Sequence, residues 1–480
     1  MIPYANFTFF GIMLSAVIPT LILGIMGRAG RYWALCVTLL YLIGQFSGEL
    51  ELAPGVLVSE LMIVAGYATY QWLVAILFLG ARRRSKSNAR LCAALFFALA
   101  PLATAKFLPL VSPHAEFGFL GISYVTFRIL DILFLIHDGL ISSLRVPGFF
   151  TYLFFFPTIS AGPIDRYRRF EVDWKRVRSR QDFLVDLDMA VAKTSRGFLY
   201  KFILAALIKR FWVDHATANS LAGTISYMYG YSLYLFFDFA GYSAFAIGLS
   251  YLFGVHTPEN FNRPFIANNI RDFWNRWHIT LSFWFRDHVY MRFLIAAAKG
   301  KWFKNEQTAS YVGYFLSFGL MGLWHGTELH YIAYGAYHAC LLTLYDLFSR
   351  WNRQRQLWGT SRFWRLASII VTVHFVCLGF LIFSGRLGGA FVPKGHEQVR
   401  AGTPAPQCGT GVLQISEKGL EIGETPDSDG TETVSPVKTT HSYESSPHRR
   451  LRREPVVEKI VECLVEIEPA FFAQMIMMAH

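Results

Sequence analysis

Two histidines stand in stretches of this chain where polarity is costly. His325 closes a hydrophobic run in Gly322-Leu323-Trp324-His325-Gly326, and His278 opens another in Phe273-Trp274-Asn275-Arg276-Trp277-His278. An ionisable side chain at membrane depth costs free energy on every insertion scale, so its first reading is functional. An imidazole titrates near neutral pH and can serve as a general base. The alternative for His325 is a buried helical histidine hydrogen-bonded to a neighbour. His278 lies far enough along the chain to sit on a different element. It could face His325 across a cavity, or merely cap the start of a helix.

Other chemistries find little support. No HxxxH pair occurs, and His325 and His330 are five apart, a poor spacing for a shared helical face, so no metal site is expected. There is no Walker loop, no Rossmann glycine fingerprint and no GxSxG elbow, so any group transferred must arrive already activated. Glu328, His330, Tyr334, Tyr337 and His338 read as pocket lining or packing. Asp238, in Phe236-Phe237-Asp238-Phe239, is expected to pair with a polar group inside a bundle.

The elements that must position these residues are mostly membrane helices. The 480 residues are 53% hydrophobic and 16% aromatic, and only 16% are charged, against about 25% in a soluble domain. Apolar runs recur from Phe7 to Ser384. The first lacks a preceding basic residue and reads as an uncleaved helix rather than a signal peptide. The six cysteines show no paired spacing and read as small core residues, with no metal site or disulfide framework implied. Residues 389–480 carry nine Lys/Arg against thirteen Asp/Glu, so the membrane part holds the whole positive excess. That excess suits cytoplasmic loops, anionic lipid and an acidic partner.

Arg28, Arg31, the Arg82-Arg83-Arg84-Ser85-Lys86 cluster and Arg145 place the N-terminus outside and these loops inside. The run 148–160 has about 13 residues, roughly 20 Å as a helix. A basic loop, Asp165-Arg166-Tyr167-Arg168-Arg169, follows it. A re-entrant segment is expected there, broken by Pro157, Gly162 and Pro163. Residues 256–278 mix polar and aromatic side chains and cannot face lipid. The stretch from there to Arg292 reads as interfacial or cavity-lining. Residues 388–480 read as a polar, disordered extension with a short amphipathic end at 456–478.

Three separated motifs resemble the membrane-bound O-acyltransferase family. They are Phe154-Phe155-Phe156-Pro157-Thr158-Ile159-Ser160-Ala161-Gly162-Pro163-Ile164-Asp165-Arg166-Tyr167, Arg271-Asp272-Phe273-Trp274-Asn275-Arg276-Trp277-His278 and Trp324-His325-Gly326. The opening Met1-Ile2-Pro3-Tyr4-Ala5-Asn6-Phe7, the segment Leu120–Arg128 and Tyr290-Met291-Arg292-Phe293 resemble the branch that transfers D-alanine to teichoic acids. The alginate acetyltransferase branch shares the three landmarks but tends to carry a Pro-Leu-Gly-Gly run in place of the last of these.

The resemblance covers residues 1–387. It implies an all-α polytopic protein of the cell membrane, with about 11 transmembrane helices and with re-entrant and interfacial helices around a central funnel or tunnel. It makes His325 the catalytic histidine and His278 the second. Trp274, Asn275, Trp277 and Trp324 would line the tunnel. No cofactor is bound by the chain itself. The implied donor is D-alanine on the phosphopantetheine arm of the acidic carrier protein DltC, the acceptor an outer-side lipoteichoic or teichoic acid, and the further partners DltD and the small peptide DltX. The competing readings are an O-acetyltransferase of an exported polysaccharide and a transporter or flippase with a histidine relay. No internal repeat, common in transporters, is visible.

Overall fold

The computed structural model describes residues 3–387, apart from 5–6, 29, 54–55, 113–116 and 218–219. The extension 388–480, the start of the Met1–Phe7 motif and Cys408 and Cys463 lie outside the described residues.

The chain opens with α1 (Phe7–Ile25) and α2 (Arg31–Gln45). Pro19 removes one donor inside α1. One turn away, the Ala16 carbonyl accepts from Thr20 Oγ1 at 2.7 Å and from Trp33 Nε1 of α2 at 3.0 Å. Two strands then pair antiparallel, β1 (Glu49–Ala53) and β2 (Val56–Ser59), with Glu49 opposite Ser59 and Leu50 opposite Val58. This hairpin corrects the expectation of a purely helical chain. The Val56-Leu57-Val58 run favours extended backbone over helix.

Among the described residues, four helices are long and apolar enough to cross a membrane: α3 (Glu60–Arg84), α4 (Asn88–Val111), α10 (Leu221–Leu252) and α16 (Arg362–Phe383). At 1.5 Å per residue α3 covers roughly 37 Å, enough for a hydrocarbon core of about 30 Å. On α3, α4 and α16 only 22–33% of the most apolar window is buried, against 78% on α10. Leu73, Leu77, Phe96 and Phe97 are among the large side chains left exposed. On a soluble protein such rows would form an adhesive patch; in a membrane-embedded protein they meet lipid chains. α10 is the buried axis of the bundle.

Between them lie α5 (Ile122–Asp138), α6 (Val146–Phe154), α7 (Tyr167–Lys175), α8 (Arg180–Phe198) and α9 (Ala206–Ile208). Two π-helical stretches, Leu199–Ala205 and Lys209–Val213, flank α9. After α10 come the short α11 (Ile270–Trp274) and α12 (Ile279–Phe285). A π turn Arg286–Tyr290 follows, then α13 (Met291–Gly300), α14 (Glu306–His325) and α15 (Leu329–Arg355). α6 has nine residues and ends in the 3-10 turn Phe156–Thr158, too short to cross as a simple span. Cys36, Cys92, Cys340 and Cys377 are free thiols; Cys377 is buried as expected of a core residue, whereas Cys36, Cys92 and Cys340 are exposed on their helices, which corrects that expectation for them.

Candidate active site

The first motif is a broken backbone held by side chains from elsewhere. Where α6 ends and Pro157 interrupts the chain, carbonyls lose their helical partners. Arg128 of α5, 1% exposed, supplies them. It donates to Tyr152 O at 3.0 Å, Leu153 O at 2.8 Å and both Thr158 O and Oγ1 at 2.6 Å. Tyr4 Oη donates to Pro157 O at 3.1 Å. Gly121, at φ +94°, lets α5 begin against this turn, since a Cβ there would lie 2.4 Å from Ile159 O. Three stretches quoted separately from the sequence, around Tyr4, Arg128 and Pro157, are thus one packed unit.

The end of the motif runs into an ionic lattice. Buried Asp131 accepts from Arg166 Nη1 at 2.9 Å, Tyr167 N at 3.0 Å and His288 Nε2 at 2.9 Å. Arg166 also reaches Asp287 at 2.9 Å. Asp165 pairs with Arg169, which bonds the His256 carbonyl. His256 Nε2 meets Asp186 at 2.8 Å, and that hydrogen bond holds the imidazole pKa above its ordinary value despite partial burial. Asp238 has the partner expected of it: Lys201, on a π-helical stretch, at 2.5 Å and buried.

His278 occupies the position before α12 at φ 41° and ψ 52°, and its side chain makes no capping bond. The ring is buried, edge-on to Phe239 with centroids 4.8 Å apart. Its Nδ1 lies 3.3 Å from Asn260 Oδ1. That amide atom is an acceptor, because the Thr280 N–H at 3.4 Å and Thr280 Oγ1 at 2.6 Å also point to it, while Nδ2 donates to Ser243 at 2.9 Å. Nδ1 of the neutral ring therefore carries the hydrogen, and Nε2, buried without a partner, presents a lone pair. Thr280 Oγ1 in turn accepts from Ile164 N at 3.0 Å, tying His278 to the first motif.

His325 is the last residue of α14, and Gly326 ends the helix in extended backbone. His330 falls on the next helix. α14 and α15 touch backbone to backbone: Cβ atoms at Gly322 and Gly335 would come within 2.4 Å of Tyr331 O and 2.3 Å of Phe318 O. The His325 ring meets Trp324 at 4.5 Å, Phe383 at 5.0 Å and Tyr331 and Tyr334 at 6.2 Å. Its Nδ1 is buried and unpartnered, so the reading of a hydrogen-bonded structural histidine does not hold for that nitrogen. The two imidazoles lie within electrostatic reach of each other.

Trp274, Trp277 and Trp324 are buried, Trp324 against His325 and Trp274 against Phe318 and His338, whereas Asn275 is exposed at the end of α11. Phe380 of α16 meets Trp277 at 4.7 Å, and Phe383, one turn on, meets His325. His338, 0% exposed, sits against Trp274 at 5.0 Å and Tyr334 at 4.6 Å, with neither ring nitrogen partnered. Among the described residues no three His, Cys, Asp or Glu side chains could hold a metal ion. Sequence reasoning missed Asn260 and the structural part played by Arg128. The only available signals were a polar residue inside an aromatic segment and an arginine inside an apolar run.

The chain belongs to the membrane-bound O-acyltransferase family, whose model matches residues 133–390. It is 41% identical over 403 residues to the teichoic acid D-alanyltransferase of Bacillus subtilis (strain 168), covering 80% of this chain and 98% of that one. It is 38% identical over 404 residues to the teichoic acid D-alanyltransferase of Lacticaseibacillus rhamnosus, covering 80% and 97%. A shorter match, 30% over 290 residues, joins it to the probable alginate O-acetylase AlgI of Pseudomonas syringae pv. tomato (strain ATCC BAA-871 / DC3000), covering 58% and 53%.

Proposed function

We propose that this acyltransferase moves D-alanine from a carrier-protein thioester to a teichoic acid, as a transfer protein of the DltB type in the cell membrane. Support comes from the length of the two D-alanyltransferase matches, which run through almost the whole of those relatives, whereas the alginate O-acetylase match spans about half of its own. The single observation that carries the chemistry is the pair of imidazoles, His278 buried with its tautomer fixed by Asn260 and His325 half-buried with its Nδ1 sequestered and unpartnered.

In this reading His325 is the general base. It takes the proton of an acceptor hydroxyl as the hydroxyl oxygen attacks the thioester carbonyl. The new C–O bond forms, the C–S bond breaks, and the thiolate leaves and recovers the proton from the imidazolium. No covalent enzyme intermediate is required. His278, with Nε2 open, orients donor or acceptor, and Trp274, Trp277 and Trp324 line the route of the phosphopantetheine arm. The donor carrier is DltC, docking on the basic loops from the cytoplasm; DltD and DltX are the further partners. The α6 region is re-entrant and the N-terminus outside. Residues 1–387 are the catalytic domain, and the 388–480 extension is dispensable.

The test is ester-linked D-alanine on the envelope of a host lacking its own transfer protein, carrying this chain or its His325→Ala form at equal membrane levels. Restoration by the first and not the second is expected. Acetyl esters in place of D-alanine esters would move the chain to the acetyltransferase reading. Restoration by both would remove His325 from the chemistry.

A further inference from the structure

Over its last two turns and a half α4 carries one charged residue, Lys106, in an otherwise largely apolar stretch. A lysine in such a stretch is expensive and asks for a partner. Its Nζ donates to the carbonyl oxygen of Trp324 at 2.5 Å, across 218 positions of sequence. Trp324 is followed by His325, where α14 ends.

The last four carbonyls of a helix have no partner within it, and they carry the negative end of the helix dipole. In α14 the Gly322 carbonyl is taken by Gly326 N–H at 3.3 Å, and the Trp324 carbonyl by Lys106. The negative end would otherwise favour an imidazolium on His325. A cation at the same place opposes it. The other titratable groups around the ring are His278 from the loop before α12 and Tyr331 and Tyr334 from α15, and the Glu328–His330 pair stands at the start of α15.

We propose that Lys106 is a positioning residue of the acyl-transfer site, clamping the Trp324–His325 peptide and offsetting the negative end of α14 so that His325 stays neutral and can accept a proton. The inference rests on His325 acting as the base. Two substitutions separate the clamp from the charge. Lys106→Gln keeps a donor for the Trp324 carbonyl and removes the cation; Lys106→Arg keeps both.

The experiment uses the full chain in lipid nanodiscs, with a D-alanyl carrier protein as donor and lipoteichoic acid as acceptor, and records rate against pH. For Lys106→Gln the acidic limb moves to higher pH, with transfer roughly tenfold slower at about pH 6 and near wild type above about pH 8. Lys106→Arg keeps the wild-type limb. A Lys106→Gln profile that superimposes on wild type overturns the inference, as does Lys106→Arg moving as far as Lys106→Gln. If the wild-type chain ignores D-alanyl carrier but acylates from an acetyl donor, the D-alanyl reading fails alone. The same comparison on that donor then decides the role of Lys106.

Discussion

Arg128 reaches Thr158 twice, donating to its carbonyl and its hydroxyl at 2.6 Å each. The arginine lies on a regular helix and the threonine on the turn where a helix breaks, so one buried cation replaces the helical bonds that Pro157 denies.

Removing that cation should unseat the motif. Arg128→Leu strands the carbonyls of Tyr152, Leu153 and Thr158 in a dry interior, at about 1–3 kcal/mol for each group left unpaired. We expect little folded protein to survive detergent extraction, measured by size-exclusion profile and thermal melt. Arg128→Lys, with one head group for four acceptors, should melt well below wild type. Equal melting of Arg128→Lys and wild type would show the fork geometry to be unimportant.

Asn260 should act on rate rather than binding. Asn260→Ala frees the His278 ring to take either tautomer while leaving the aromatic wall intact. About a 10-fold to 100-fold loss in kcat is expected, with KM little changed, as for loss of an orienting partner of a catalytic histidine. A variant that loses KM and keeps kcat would place His278 in donor binding instead.

Lys201 and Asp238 should behave as a unit. Lys201→Met leaves a buried carboxylate uncompensated, a loss of about 3–5 kcal/mol. The double variant Lys201→Met with Asp238→Leu should recover most of it. Thermal melts of the two singles and the double decide the point: additive losses would show that the two charges do not depend on each other.

His256 supplies a pH-dependent contribution outside the helices. Its pKa is raised by the hydrogen bond to Asp186, so the folded protein holds the proton more tightly than the unfolded chain. The stabilisation is present below the ordinary histidine value of about 6.5 and is lost as pH rises past the raised value. His256→Gln should therefore lower the melting temperature more at about pH 5.5 than at about pH 8.5. A larger loss at the alkaline end would reverse the assignment.

Much of the bundle was legible in the residues, because lipid demands long apolar helices and α3, α4, α10 and α16 obey that demand. His325, His278 and Asp238 were legible for the complementary reason, that polarity is conspicuous in such a background. The β1–β2 hairpin was not, since a short Val-Leu-Val run reads equally as the start of α3. Asn260 was hidden because its role is set by Ser243, Thr280 and His278, partners from two other segments that no local period brings together. Asn275 was expected among the lining residues from its neighbours Trp274 and Trp277. A helical turn places those two inward and Asn275 outward.

α14 and α15 meet through backbone at Gly322 and Gly335, so that at those two points no side chain stands between them to slide or repack. Bilayers of unequal thickness change the tilt of single helices at modest cost. Two helices joined at their main chains answer such a change as one body. His325, Tyr331 and Tyr334 then keep their mutual spacing when the surrounding lipid is thicker or thinner, and the geometry of the site is buffered against the composition of the membrane that carries it.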